Sequence, residues 1–261
     1  MRLRILTVAV AALVAGHEAP RPAVAQESSS AGRRSDPAAG SPWHATVPGP
    51  AAPIRIGLQA GHWRADEAPH ELRRIRYNGT RWRETAEWEA NLAIARLAGA
   101  ELEALGYEVD ILPAVVPPGY RAHLFIAIHA DGSDSPQASG YRVAAPRRDA
   151  TGRAPEIAQI LREKYGEATG LRGLPVATRR MRNYYAFNYR RYRHALHPMT
   201  VGVIIETGFI TSARDRGVIL GAPEKAAQGI VEAVKAFPAT PPPAWQATGE
   251  PGPRGEPGQP E

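Results

Sequence analysis

Cysteine is absent from the 261 residues. That excludes a disulfide framework, thiolate chemistry and a lipid-anchored cysteine, and leaves any metal site to be built from His, Asp or Glu. Long apolar runs are lacking as well. The stretch at residues 5–15 is too short to cross a bilayer, which takes about 20 residues, and no later segment is long and apolar enough. No G-x-S-x-G sequence occurs to suggest a serine nucleophile. His70-Glu71 opens an H-E-x-x-H pattern, but Arg74 stands where the second His is required, so that zinc signature fails. No internal repeat is visible.

What the sequence does contain is ordinary globular material between two loose ends. Hydrophobic residues make up 43% and charged residues 22%, which argues against wholesale disorder. The length suits one medium domain with a core of its own. Proline is concentrated towards both ends. Residues 1–25 combine a basic start (Arg2, Arg4), a short apolar core and the small-x-small close Ala23-Val24-Ala25, and are expected to be a signal peptide. The mature protein is therefore expected to be soluble, exported to the cell exterior, wall or periplasm, and monomeric. Residues 26–52, rich in Ser, Gly, Pro and Ala, read as a disordered linker. Residues 238–261 read as a Pro/Gly-rich disordered tail whose few Gly-x-x triplets cannot form a triple helix. The folded part is then residues 53–237.

A net charge of +6 and a pI near 9.8 imply attraction to polyanions. For an exported protein these are wall polymers or anionic headgroups rather than nucleic acid. A genome that favours Arg explains the same excess, so charge alone decides nothing.

Strand-like and helix-like stretches alternate through the middle. Residues 54–58 and 107–111 alternate apolar and other residues, as half-buried strands do. Residues 123–128 (HLFIAI) and 201–205 (VGVII) are short continuous apolar runs, as in buried parallel strands, and residues 141–144 offer a further strand. A helix is expected from Thr85 as N-cap to Gly106 as stop, with Trp88, Leu92, Ala95, Leu102 and Leu105 as its apolar stripe. Further helices are expected at residues 155–166 and 223–237. This alternation predicts a single α/β domain: a mostly parallel mixed sheet with helices on both faces.

Three of the buried-looking strands are each followed by a chemically capable residue: Gly61-His62, His129-Ala130-Asp131 and Glu206-Thr207-Gly208. Ligands of open α/β sheets bind at the carboxyl ends of the strands, so these residues, far apart in the chain, are placed to meet. Two His and one carboxylate suit a catalytic zinc ion with an open fourth position. The carboxylate belongs to the first helix, where Glu84, Glu87 and Glu89 compete. Glu84 and Glu87 share a helix face and Glu89 is turned away. Any of them also has a purely structural reading, as an acid at the positive end of a helix.

Gly61-His62, Glu87 followed by Asn91-Leu92-Ala93-Ile94-Ala95, the run from Phe125 to Asp131, and the run from Ile205 to Thr211 together resemble the ordered motifs of the zinc-dependent N-acetylmuramoyl-L-alanine amidases of the type 3 class. The resemblance covers residues 54–237. It implies that His62, Glu87 and His129 bind Zn2+ and that Glu206 is the catalytic carboxylate. It also selects Glu87 among the helix acids, by its distance to the Asn-Leu-Ala-Ile-Ala stretch. The implied reaction is hydrolysis of the amide between the lactyl group of N-acetylmuramic acid and L-alanine, with peptidoglycan as the partner. The chain departs from the family's pattern in carrying Gln59-Ala60 in place of Asp-Pro before Gly-His, and Trp63-Arg64 in place of Gly-Gly after it. Leu112-Pro113-Ala114 replaces the usual Thr-Arg, and the segment from there to the second His is short. These changes bear on substrate fit, and the substrate-binding residues are left unassigned.

Residues 179–197 interleave Arg with aromatics. One reading is a strand and loops with Tyr packed inward and Arg solvated. Another is a groove, lined by Arg179, Arg190 and Arg193, that stacks sugars and pairs the carboxylates of stem peptides. Nucleic acid, the reading such a segment suggests in isolation, is set aside because the leader exports the chain. Two alternatives to the amidase remain: an exported zinc peptidase acting on peptides, and a wall-binding module without turnover.

Overall fold

The computed structural model describes residues 53–135 and 137–237. The expected leader, linker and tail lie outside the described residues.

A single five-stranded sheet organises the domain, in the order β4-β1-β5-β7-β6. Its members are β1 (Arg55–Ala60), β4 (Glu108–Leu112), β5 (Leu124–Asp131), β6 (Arg142–Ala144) and β7 (Val201–Phe209). β4, β1, β5 and β7 run parallel, and β6 adds an antiparallel edge. The two apolar runs of the sequence form β5, at the centre of the sheet, and β7 beside it. In β5, Leu124, Ile126 and Ile128 face one layer while Phe125 and Ala127 face the other, and all five are fully buried. Burying each Leu, Ile or Phe contributes about 1.5–3 kcal/mol relative to exposure.

Both faces are covered, but unequally. One carries the long helices α1 (Glu87–Ala104), α2 (Ala154–Thr169) and α5 (Pro223–Ala236), whose Ala98, Leu102, Ile157, Leu161, Ile230 and Val234 join the larger core cluster. The other is closed by short helical turns and loops. These include residues 65–77, α3 (Arg179–Arg182) and the turn that buries Tyr185 and Phe187. A short helix, α4 (Ala213–Ile219), follows β7, and a small hairpin of β2 (Arg81–Trp82) and β3 (Thr85–Ala86) precedes α1.

Helix α1 starts and faces differently from the expectation in detail. Thr85 belongs to the hairpin, the N-cap is Ala86, and the Glu89 carboxylate accepts from the Ala86 N–H at 3.1 Å. Leu92, Ala95 and Leu102 are buried, whereas Trp88 and Leu105 at its ends are 36% and 51% exposed. Its stop is as expected. Gly106 takes φ 89°, and the N–H groups of Gly106 and Tyr107 donate to Glu103 and Leu102, the paired bonds of a Schellman close.

The strand order reverses at β1. The chain leaves β1 for β4 on one side, then returns to β5 on the other. Such a reversal opens a crevice beyond the carboxyl ends of the two diverging strands, the usual ligand position in α/β sheets.

Candidate active site

Four side chains meet in that crevice, each delivered by a different element. His62 follows β1, Glu87 opens α1, His129 lies near the end of β5, and Glu206 lies at the paired position on β7. All four line one cavity of about 820 Å3. His62, Glu87 and His129 offer ligand atoms within 4.8 Å of one another, and this is the one such cluster among the described residues.

Backbone conformation aims the first of them. His62 sits at φ 64°, a left-handed conformation that His tolerates better than most side chains and that costs of order 1–3 kcal/mol. Gly61 before it extends the ladder by donating to the Ile128 carbonyl at 2.9 Å. A Cβ at Gly61 would fall 2.4 Å from the His129 ring, so only glycine lets the two histidines approach. Their rings stand edge to face, 4.9 Å between centroids.

Glu87 is held on both oxygens. The Thr80 N–H donates to Oε2 at 2.8 Å, and Oε1 accepts from the Ala130 N–H at 3.1 Å and from Asn91 Nδ2 at 3.3 Å. Asn91 also donates to the Gly61 carbonyl at 3.1 Å, tying the helix to the His62 turn. That commitment leaves Asn91 Oδ1 as the buried side-chain polar atom without a partner among the described residues, a cost of about 1–3 kcal/mol. Glu84, expected on the same helix face as Glu87, is in the hairpin turn outside the helix and does not reach the site.

The charges are arranged for a cation. Glu87 Oε1 lies 3.1 Å from His129 Nδ1 and 3.6 Å from His62 Nε2. Burial pushes the Glu87 carboxyl upward, but the hydrogen bond and charge of His129, with His62 and the Thr80 N–H, outweigh it and hold the group at about 2. Burial, then repulsion from His129, lowers His62 to about 4, against the opposing pull of Glu87. A carboxylate and a neutral imidazole are the forms that ligate metals. Tetrahedral zinc with bonds of 2.0–2.1 Å places its donors ~3.4 Å apart. The two separations from Glu87 Oε1 bracket that value, so the residues present fit such an ion.

Glu206 is electrostatically different. It opens onto the cavity yet lies deep in the protein, and desolvation first, then repulsion from Glu87 and Asp131, pushes its carboxyl well above the usual range. Arg142 opposes this. It pairs with Asp131, lies opposite Glu206 in the β6–β7 ladder, and stacks over Phe209 at 5.2 Å.

Sequence reasoning assigned no role to Thr80, Asn91, Tyr184 or Arg142. Asn91 was discoverable, one helical turn from Glu87. Tyr184 carried no local signal. Residues 179–197 form a short helix and turns with no strand. Tyr184 and Tyr185 point inward, and Arg179 and Arg180 line the same cavity as the four candidate residues. Arg193 lines a separate hollow with Tyr189 and Tyr192, so Arg179, Arg190 and Arg193 do not make one groove.

Residues 118–236 match a family model described as N-acetylmuramoyl-L-alanine amidase. The matched stretch contains His129 and Glu206, and the fold brings His62 and Glu87 to it. No curated protein matches the sequence. Among solved structures, an N-acetylmuramoyl-L-alanine amidase from Clostridium difficile 630 is 17% identical with a TM-score of 0.50, covering 76% of this chain and 99% of that one. The amidase Ami1 from Mycobacterium smegmatis is 20% identical with a TM-score of 0.50, covering 72% and 97%. The CwlD amidase from Clostridioides difficile, solved with the GerS lipoprotein, is 16% identical with a TM-score of 0.50, covering 70% and 98%. At these identities the likeness is one of fold.

Proposed function

We propose, for a chain that belongs to the type 3 family of N-acetylmuramoyl-L-alanine amidases, that His62, Glu87 and His129 hold a zinc ion beside Glu206. The site then hydrolyses the amide between the lactyl group of N-acetylmuramic acid and L-alanine. The observation that carries this reading is the convergence of both imidazoles on Glu87 Oε1, at 3.1 and 3.6 Å. Peptidoglycan amidase activity is the enzyme class of the family; the metal, the bond cleaved and the residue roles are the proposal.

When bound, zinc supplies Lewis-acid chemistry, polarising a carbonyl and lowering the pKa of water towards neutrality. The chain's own residues supply the rest. Glu87 brings the negative charge and is fixed by Thr80, Asn91 and Ala130. Glu206 takes the proton of the attacking water and delivers it to the amide nitrogen as the bond from that nitrogen to the carbonyl carbon breaks. The products are a lactyl carboxylate and the free amino group of L-alanine. A metal's positive charge beside Glu206 favours its ionised form, which a base requires, and Arg142 acts in the same direction.

Arg179 and Arg180 line the cavity, are exposed and are suited to stem-peptide carboxylates. Export to the wall places enzyme and substrate together. Among the described residues no helix is long and apolar enough to cross a membrane. The test is digestion of purified peptidoglycan with and without a chelator, with products identified by mass. Free L-alanine amino groups on uncut glycan, lost with the chelator and restored by zinc, are expected. Cleavage within the stem peptide alone would instead make the protein a peptidase.

A further inference from the structure

The orientation of His129 is set from outside the site as well as within it, by a chain of hydrogen bonds that runs from Gln59 through Tyr184. It starts at Gln59, fully buried at the end of β1. Gln59 Nε2 lies 3.1 Å from the Pro113 carbonyl and 3.0 Å from the Ala114 carbonyl. Carbonyl oxygens only accept, so the amide must turn its nitrogen towards them. The same nitrogen lies 2.8 Å from the Tyr185 hydroxyl, which donates to the Ala114 carbonyl at 2.6 Å and accepts from the Val116 N–H at 3.0 Å.

Gln59 Oε1 therefore faces the other way, 2.9 Å from the Tyr184 hydroxyl. That oxygen carries no hydrogen, so Tyr184 donates. A phenol has one hydrogen to give. Towards its second neighbour, His129 Nε2 at 3.1 Å, the Tyr184 oxygen can only accept. Nε2 then carries the proton, and a neutral ring so held would offer the lone pair of Nδ1 to a cation standing between it and Glu87 Oε1, 3.1 Å away.

We infer that Tyr184, locked by Gln59, is a positioning residue that holds His129 in its Nε2–H form and commits Nδ1 to the metal. This rests on the metal-site reading above and adds to it a specified nitrogen and an outer partner. The Tyr184 ring stands 80° to the His129 ring at 5.3 Å and is itself packed on Tyr185 and Phe187, so the hydroxyl is presented to the imidazole from a fixed ring. Partners of this kind fix the tautomer of a ligating histidine, and their loss typically costs 10- to 100-fold in metal affinity or activity.

The test uses zinc-loaded protein with nitrogen-15 histidine. Long-range proton–nitrogen correlation should show His129 with its proton on Nε2 and its metal-shifted nitrogen at Nδ1. Tyr184→Phe keeps the ring and removes the hydroxyl. Chelator competition should show its zinc affinity weakened roughly 10- to 100-fold. Zinc on Nε2 in the wild type, or wild-type zinc affinity in a folded Tyr184→Phe, overturns the inference while leaving the metal site standing. If the wild type takes up no zinc at all, the metal reading fails and this one with it. Should Tyr184→Phe not fold, the wild-type spectrum alone decides.

Discussion

His129 and Glu206 occupy paired positions on adjacent parallel strands, β5 and β7. Strand partners lie ~4.8 Å apart and point to the same face, so backbone pairing alone sets one imidazole beside the catalytic candidate. Their separation does not depend on a loop. Replacing Glu206 by Gln changes no packing volume and should leave a folded, zinc-binding protein slowed roughly 10²- to 10⁴-fold, the usual worth of a general base. Turnover of peptidoglycan and bound zinc are measured on the same preparation. Wild-type turnover would remove Glu206 from the mechanism.

Gly61→Ala tests the approach of the two histidines. The added methyl would lie 2.4 Å from the His129 ring, closer than real contacts allow, and the ring is the part able to yield. Its displacement carries Nδ1 away from Glu87 and breaks the bond to Tyr184. Zinc affinity should fall by at least tenfold with the strands of the sheet intact. Metal titration read beside far-ultraviolet circular dichroism checks this, and unchanged affinity would show that the turn at Gly61 relaxes instead.

Much of the architecture was legible because it is written in periodicity. The stretches 124–128 and 201–205, which became most of β5 and β7, carry no charged side chain because both faces of the sheet are covered, and Gly106 marks the end of α1 because its left-handed conformation suits glycine. The candidate site was legible as four residues at three strand ends and a helix start. What escaped was whatever depends on distant backbone. Glu84 was misplaced because a two-residue turn, with Arg83 at φ 53°, separates it from the helix. Tyr184 and Gln59 were not read as partners because 125 residues separate them and the reason they meet, the carbonyls of residues 113 and 114, has no side-chain signature.

The raised Glu206 carboxyl predicts how metal-free stability depends on pH. Below the ordinary carboxylate range the group is neutral in folded and unfolded chains alike and costs nothing. As pH rises past about 4.3, the unfolded chain ionises it freely while the folded chain resists, so stability is lost up to the folded value. Glu206→Gln abolishes this loss. In chelator-treated protein the variant should melt above the wild type at pH 7 and level with it near pH 4. Equal melting temperatures at pH 7 would mean that Glu206 ionises normally in the empty site.

Asp215 makes the strongest purely structural prediction. Its fully buried carboxylate accepts from the Gly140 N–H at 2.8 Å, the Phe209 N–H at 2.9 Å and the Ser139 hydroxyl at 2.6 Å, joining α4 to the end of β7 and to the segment that leads into β6. Both N–H groups point at the same oxygen, Oδ2. An amide in its place keeps both N–H groups on its oxygen and turns its NH2 to the Ser139 hydroxyl, which then accepts where it donated, so the arrangement survives but the charge of the acceptor is lost from all three bonds. Bonds to a charged acceptor contribute about 1.5–3 kcal/mol each and neutral ones about 0.5–1.5 kcal/mol, a difference of about 1 kcal/mol for each of the three. Asp215→Asn should therefore lose about 3 kcal/mol, which for a domain of this size lowers the melting temperature by roughly 6–12 °C. The four residues of the candidate site are untouched, so zinc affinity and turnover per folded molecule should stay near wild type at low temperature. Thermal unfolding with a parallel activity measurement separates the two effects: a variant that melts normally, or one that is stable but inactive, would show that the carboxylate does something other than tie these segments together.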